Sequence, residues 1–314
     1  MGTGSVGAAT AFALVLKDMG DEIVLIDSDR RKAEGEAIDL AHASLVNNYT
    51  DVYLGSYEDC RDAAIVIITA GQAQKTTDTE QALLSANFKI LENVAPKIGA
   101  VAPRALLIVA AHPNEVLTRA AAELSGLPAH RVIGVGTSVD SARFRHEISK
   151  YYRVDIRDIN APIVGVHGIN EIPFWSMVTI DGLPLKSYCE QVGKEVESDE
   201  LEECFWKAKR AVFDIMEHKG SPSMSMAAGI CAIVEAILRD EHSVMTVAAN
   251  GDYLGVDSIA LSVPTKLSRA GAEHLKAWSD DWNEEEKLHL AAKHVEDQMK
   301  STMLRNSRIW SDTA

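Results

Sequence analysis

Cysteine, aromatic residues and positive charge are all scarce in this sequence. Its 314 residues include four cysteines, Cys60, Cys189, Cys204 and Cys231. None forms a C-x-x-C pair or sits at metal-ligand spacing, so neither a disulfide framework nor a zinc site is expected, and no metal is assigned. Four free thiols fit a reducing compartment, and Met1-Gly2-Thr3-Gly4-Ser5 carries no basic n-region and no cleavable apolar stretch, so the expected location is the cytoplasm. No uncharged run reaches the roughly 18 apolar residues of a membrane span. Basic residues number 31 against 46 acidic ones, a net charge of −15, which argues against nucleic acid or an anionic membrane as partner. So acidic a protein must bind a small anion through a local cationic site, which gives individual arginines more weight than the total.

Internal repeats and low-complexity segments are also absent, and 46% hydrophobic with 25% charged residues is ordinary globular composition. At roughly 150 residues per domain, the length predicts two domains. The first half alternates short β-branched runs with helical patterns, as a parallel sheet covered by helices requires. Glu22 to Asp27 reads as a strand ending in an acid; 63–69, 105–110 and 131–135 read as strands buried on both faces. Helical stretches are expected near 6–19, 30–43, 79–98 and 115–124. From about Ser138 the pattern changes to one helix, several alternating strand-like segments, and long helices near 201–217, 223–239 and 283–303. Glu284 to Glu286 reads as the acidic first turn of the last helix.

Gly2, Gly4 and Gly7 complete a G-x-G-x-x-G motif that opens a helix. Such glycines allow a tight turn, close approach to a pyrophosphate and close helix packing. Asp27 stands 20 residues after Gly7 at the end of the next strand, where a carboxylate accepts hydrogen bonds from an adenosine ribose. It would repel a 2′-phosphate, which favours NAD over NADP. The expected fold is α/β, a Rossmann-type doubly wound parallel sheet over residues 1–137 followed by an α+β substrate domain over 138–314.

Asp140-Ser141-Ala142-Arg143-Phe144-Arg145, then Gly165-Val166-His167-Gly168, then Leu261-Ser262-Val263-Pro264 follow the glycine motif. In order and spacing the chain resembles the L-lactate/malate dehydrogenase family, over essentially its whole length. The resemblance implies that His167 is the general acid/base and that Asp140 orients its imidazole. A histidine titrates near neutrality and a neighbouring carboxylate raises its pKa, which suits proton delivery to a ketone. Arg143 resembles the residue that grips the substrate carboxylate with a two-pronged guanidinium. Gln74 matches the position where glutamine accompanies lactate-type substrates and arginine malate. A shift of one residue would bring Lys75 there and favour malate instead. The implied substrate is a small 2-oxo or 2-hydroxy acid, and the implied assembly a homodimer or homotetramer.

Four positions depart from the family pattern. Glu80 stands where the mobile loop usually carries an arginine that polarises the ketone. His112 stands for an asparagine near nicotinamide and substrate, Pro222 for a threonine lining the pocket, and Val166 for the acid before the histidine. These changes leave two readings: a dehydrogenase tuned to another 2-oxo acid, or an NAD-binding relative with little turnover and a regulatory or structural role. Retention of His167, Asp140 and Arg143 favours the enzyme.

Only Met1 precedes the glycine turn, so the strand expected to feed it, in the middle of the sheet between the strands at Glu22 and Ala63, is missing. An open apolar seam with unpaired backbone is expected there, as is a true start several residues upstream. His289 and His294 are expected to face solvent, and Met224 and Met226 to pack their helix against its neighbours.

Overall fold

A computed structural model describes residues 1–46, 50–72, 79–275 and 281–305. In the first half, α1 (Ser5–Leu16), β1 (Glu22–Leu25), α2 (Arg30–Val46), β2 (Asp51–Leu54), β3 (Ile65–Ile68), α3 (Glu80–Val101), β4 (Leu106–Val109), α4 (Asn114–Ser125) and β5 (Val132–Gly134) alternate strand with helix. β3, β4 and β5 pair in parallel. All four side chains of β4 are buried, which is why its sequence is an unbroken apolar run rather than an alternating one.

The second half contains α5 (Ser138–Tyr152), β6 (Ile159–Asn160), β7 (Ile163–Val166), β8 (Asn170–Pro173), β9 (Thr179–Ile180), β10 (Leu183–Pro184), α6 (Leu185–Gln191), α7 (Ser198–Lys219), α8 (Ser223–Leu238), β11 (Val244–Tyr253), β12 (Val256–Ser268), β13 (Gly271–His274) and α9 (Trp282–Arg305). Here the antiparallel hairpin β11–β12 is the organising element. β11 pairs with β5 and β12 with β7, so one sheet runs β3-β4-β5-β11-β12-β7-β8, with β13 beside β12. This α/β arrangement, a parallel sheet continued by a second, antiparallel part, sets the ends of β4, β5 and β7 close together.

The long hairpin, like β2 and α6, is not expected from the sequence. Most of β12 is buried on both faces, which removes alternation, and Pro264 lies inside it. A proline there ordinarily argues against a strand.

The parallel sheet is divided. β1 pairs with β2 from Glu22↔Asp51 to Leu25↔Leu54, but no described strand lies between β1 and β3. Two residues bridge the gap: the Met1 amine donates to the Ile67 carbonyl at 2.8 Å, Thr69 N–H donates to Met1 O at 2.9 Å, and Gly2 N–H donates to Ile26 O at 2.8 Å. Beyond this bridge lies a cavity of about 480 Å³, lined among others by Leu14, Ile23, Val24, Ile65, Ile67 and Val234. Strand alternation turns backbone groups of Glu22, Val24 and Ile65 toward it. Ile23, Val24, Ile65 and Ile67 are accordingly only half-buried, in contrast to β4.

An apolar strand in this gap would pair on both edges and bury its side chains. Joining four Val/Ile residues ahead of Met1 should raise Tm by about 5 °C or more. A Gly/Ser segment of equal length should leave Tm unchanged, which thermal denaturation followed by circular dichroism reads directly.

Candidate active site

The glycine turn follows the bridge and precedes α1. Gly2 has φ 91°, and a Cβ there would lie 2.5 Å from Ala70 N. A Cβ on Gly7 would lie 1.9 Å from Gly2 O, so both positions exclude any larger residue. Gly4 faces open space, with nothing within 4 Å of its ideal Cβ, and it is the N-cap of α1. The free N–H groups of a helix start beside an unobstructed backbone fit a pyrophosphate. Asp27 closes the turn: Oδ2 accepts from Thr3 N–H at 2.6 Å and from Thr3 Oγ1 at 3.1 Å, and Oδ1 from Asp29 N–H at 2.9 Å. Burial works to raise its pKa, but these donors and the Ser28 hydroxyl outweigh it and hold the carboxyl below its ordinary value. An ionised acid in this place suits a ribose with two free hydroxyls.

The second constellation centres on Asp140, in the first turn of α5. Its Oδ2 lies 2.6 Å from His167 Nδ1, just after β7, and its Oδ1 accepts from Arg143 Nη1 at 2.7 Å. Arg143, one helical turn on, meets the same carboxylate because residues three apart share a helix face. Burial opposes the charged form of His167, but the Asp140 and Glu171 carboxylates outweigh it and hold the ring well above its ordinary pKa. Asp140 is held below its usual value by His167 and Arg143 despite desolvation. The His112 ring stands edge-on to His167 at 5.6 Å between centroids. Burial first, then the neighbouring His167 charge, push the His112 pKa down to about 4, so at neutral pH it is an uncharged donor and acceptor.

The structure brings His167, Asp140, Arg143 and His112 together. Pro222 joins through a chain of polar contacts: Arg143 Nη2 donates to Ser225 Oγ at 3.3 Å, and Ser225 Oγ donates to Pro222 O at 3.1 Å. Glu80 is turned to α9, where its Oε1 accepts from Gln298 Nε2 at 2.9 Å. Gln74 lies outside the described residues, as does Lys75.

Several participants were not singled out from sequence. Asn87 ties Gln72 N–H, at 2.6 Å, to the His112 carbonyl, at 2.7 Å. Glu115 accepts from Ser262 Oγ and from His167 N–H, at 2.6 and 3.2 Å, and burial pushes its pKa up. Ser225 had no legible signal, whereas Glu171 had one, an acid inside the strand-like run after His167. Glu284 and Glu285 lie in the first turn of α9, as expected, and Glu284 is also buried, accepting from Ser176 N–H at 3.1 Å. Two other expectations are corrected. His289 and His294 are half-buried rather than solvent-facing, and His289 Nδ1 lies 2.9 Å from Leu254 O. Met226 packs on the core as expected, but Met224 is 67% exposed on the opposite side of α8.

The family model for the lactate/malate dehydrogenase NAD binding domain matches residues 1–134, and that for the alpha/beta C-terminal domain matches residues 137–304. A probable L-lactate dehydrogenase of Schizosaccharomyces pombe is 41% identical over 301 residues, 96% of this chain and 91% of that protein. The L-lactate dehydrogenase of Moorella thermoacetica is 41% identical over 279 residues, 88% of each chain. Among solved structures, a lactate dehydrogenase from a Medee basin deep-sea metagenome library superposes with a TM-score of 0.90 at 33% identity, covering 96% of both chains. The minor L-lactate dehydrogenase of Enterococcus mundtii, in a ligands-bound form, gives the same figures.

NAD is the cofactor, and the open Gly4 backbone with the ionised Asp27 fits it. Replacing Asp27 with alanine should weaken NADH binding by about 10-fold or more, the worth of a hydrogen bond to a charged group, read by NADH fluorescence titration. With its two halves matched in sequence and its backbone in structure, the chain belongs to the lactate/malate dehydrogenase family.

Proposed function

We propose that the protein interconverts a 2-oxo monocarboxylate and its L-2-hydroxy acid, with His167 as general acid/base, Asp140 as its orienting carboxylate and Arg143 as the substrate anchor. The carrying observation is the single buried carboxylate shared between His167 Nδ1 at 2.6 Å and Arg143 Nη1 at 2.7 Å. Bound at Gly2, Gly4, Gly7 and Asp27, NADH supplies the hydride. In reduction, protonated His167 gives its Nε2 proton to the ketone oxygen, and Asp140 stabilises the charged ring beforehand. In oxidation, neutral His167 takes the hydroxyl proton. Arg143 fixes the substrate carboxylate by paired N–H donation, which holds the carbonyl carbon within reach of the cofactor. Neutral His112 offers a hydrogen bond beside His167 without competing for the proton.

The loop position occupied by Glu80 supplies no cation to the ketone oxygen. Its pairing with Gln298 keeps the carboxylate engaged elsewhere, which supports an enzyme working without that donor. A second reading, an NAD-binding protein with little turnover, rests on the same residue. Malate-type chemistry depends on which side chain of 74 and 75 meets the substrate. Buried thiols at Cys60, Cys189, Cys204 and Cys231 support a cytoplasmic location. Exposed apolar Phe12 on α1 with Ile38 and Leu45 on α2 supports a homo-oligomer, dimer or tetramer.

Purified protein should oxidise NADH with pyruvate or another 2-oxo monocarboxylate in a steady-state panel that includes oxaloacetate and cationic or branched acids. NADH binding without turnover on any member would overturn the enzyme reading. Restoring the cation with Glu80→Arg should raise kcat on pyruvate about 10-fold or more, since one preorganised donor is worth several kcal/mol. A fall on the preferred acid instead would identify Glu80 as a specificity group.

A further inference from the structure

His167 faces two carboxylates, and the proposed mechanism uses one. Asp140 Oδ2 lies 2.6 Å from Nδ1, and Glu171 Oε1, arriving from β8, lies 3.4 Å from the same nitrogen. The two acid side chains are 3% and 2% exposed. Asp140 has Arg143 as a second cationic partner, whereas Glu171 forms an ion pair with no described side chain except His167. Glu171 Oε2 is buried without a hydrogen-bond partner among the described residues, and besides the His167 ring the carboxylate meets only the Gly168 N–H. A carboxylate so placed needs a cation, and the protonated imidazole is the one within reach.

The other charged or titratable groups around the ring contribute differently. His112 is uncharged at neutral pH, Arg143 acts through Asp140, and Glu115 accepts from the His167 backbone N–H rather than from the ring. Position 166, next to the histidine, holds a buried valine.

We propose that Glu171 is a positioning residue whose carboxylate, as the second acceptor beside Nδ1, stabilises protonated His167 and so sets the pH range over which it donates to a ketone. The proposal rests on His167 being the acid/base. Glu171 also has a structural bond, accepting from Gly168 N–H at 2.7 Å. Glu171→Gln separates the two roles, because the amide oxygen keeps the Gly168 bond while the charge is lost.

The test is a ring-resonance NMR titration of the unliganded protein, with His167 assigned by the signal lost in His167→Asn. Glu171→Gln should lower the His167 midpoint by about one pH unit, and Glu171→Asp, which keeps the charge, by less. The high-pH limb of ketone reduction should move to lower pH by the same amount, with kcat on the acid plateau near the unsubstituted value. An unchanged midpoint in a Gln variant with unchanged Tm overturns the proposal. The titration needs no turnover: a shifted midpoint in a protein inactive on every 2-oxo acid would sink the enzyme reading and leave the Glu171 interaction standing.

Discussion

A carboxylate taken out of water is tolerated only where its charge is answered, and Asp140 is answered twice, by an imidazole and by a guanidinium. Much of the surrounding architecture holds that arrangement. The start of α5 is fixed to β7 by Thr137 Oγ1, which donates to Ile163 O at 2.5 Å, and by Ile163 N–H, which donates to Ser141 Oγ at 2.9 Å. Ser141 in turn shares a 2.7 Å hydrogen bond with Thr246 of β11. Asn114 holds the preceding turn, accepting from Gly136 N–H at 2.9 Å while donating to Val109 O at 2.8 Å. Helix, turn and strand are thus tied at the point where the carboxylate must sit, and losing one buried partner of such a pair typically costs about 3–5 kcal/mol.

The same logic reconciles a strongly acidic chain with an anionic substrate. Net charge acts over distance and is screened by salt, whereas Arg143, 13% exposed and aligned by Asp140, would act on the proposed substrate carboxylate at contact. Of the acidic groups near the site, Asp140 is paired with His167 and Arg143, and burial favours the uncharged form of Glu115.

Legibility from sequence follows the range of the interaction. The glycine turn was readable because its constraints lie within six residues, whereas Asp140 and Arg143 took their roles from resemblance to a family, and their contact across one helix turn was not read. The partnership of His167 with Asp140 spans 27 residues and was readable only through resemblance to a family. Where resemblance stopped, so did legibility. Ser225 reaches Arg143 across 82 positions with no local pattern, and the β11–β12 hairpin was hidden because burial on both faces and Pro264 erase the usual alternation. His289 and His294 looked like surface residues because helix spacing does not say which neighbouring loop will cover a face. The β1–β3 gap was the reverse case, a long-range feature legible from strand order alone.

That gap also divides labour within the fold. Asp27 lies at the end of the two-stranded piece, while His167, Asp140 and Arg143 belong to the eight-stranded one. Apart from the Met1–Gly2 bridge, no described ladder hydrogen bond joins the two sheets, so they are connected by packing: α1 against both α2 and α8, and the apolar cluster that contains Ile26, Val66 and Ile68. A ligand held by both Asp27 and the residues at the ends of β4 and β5 would therefore join the two sheets without any strand pairing, and its binding energy would add to their cohesion.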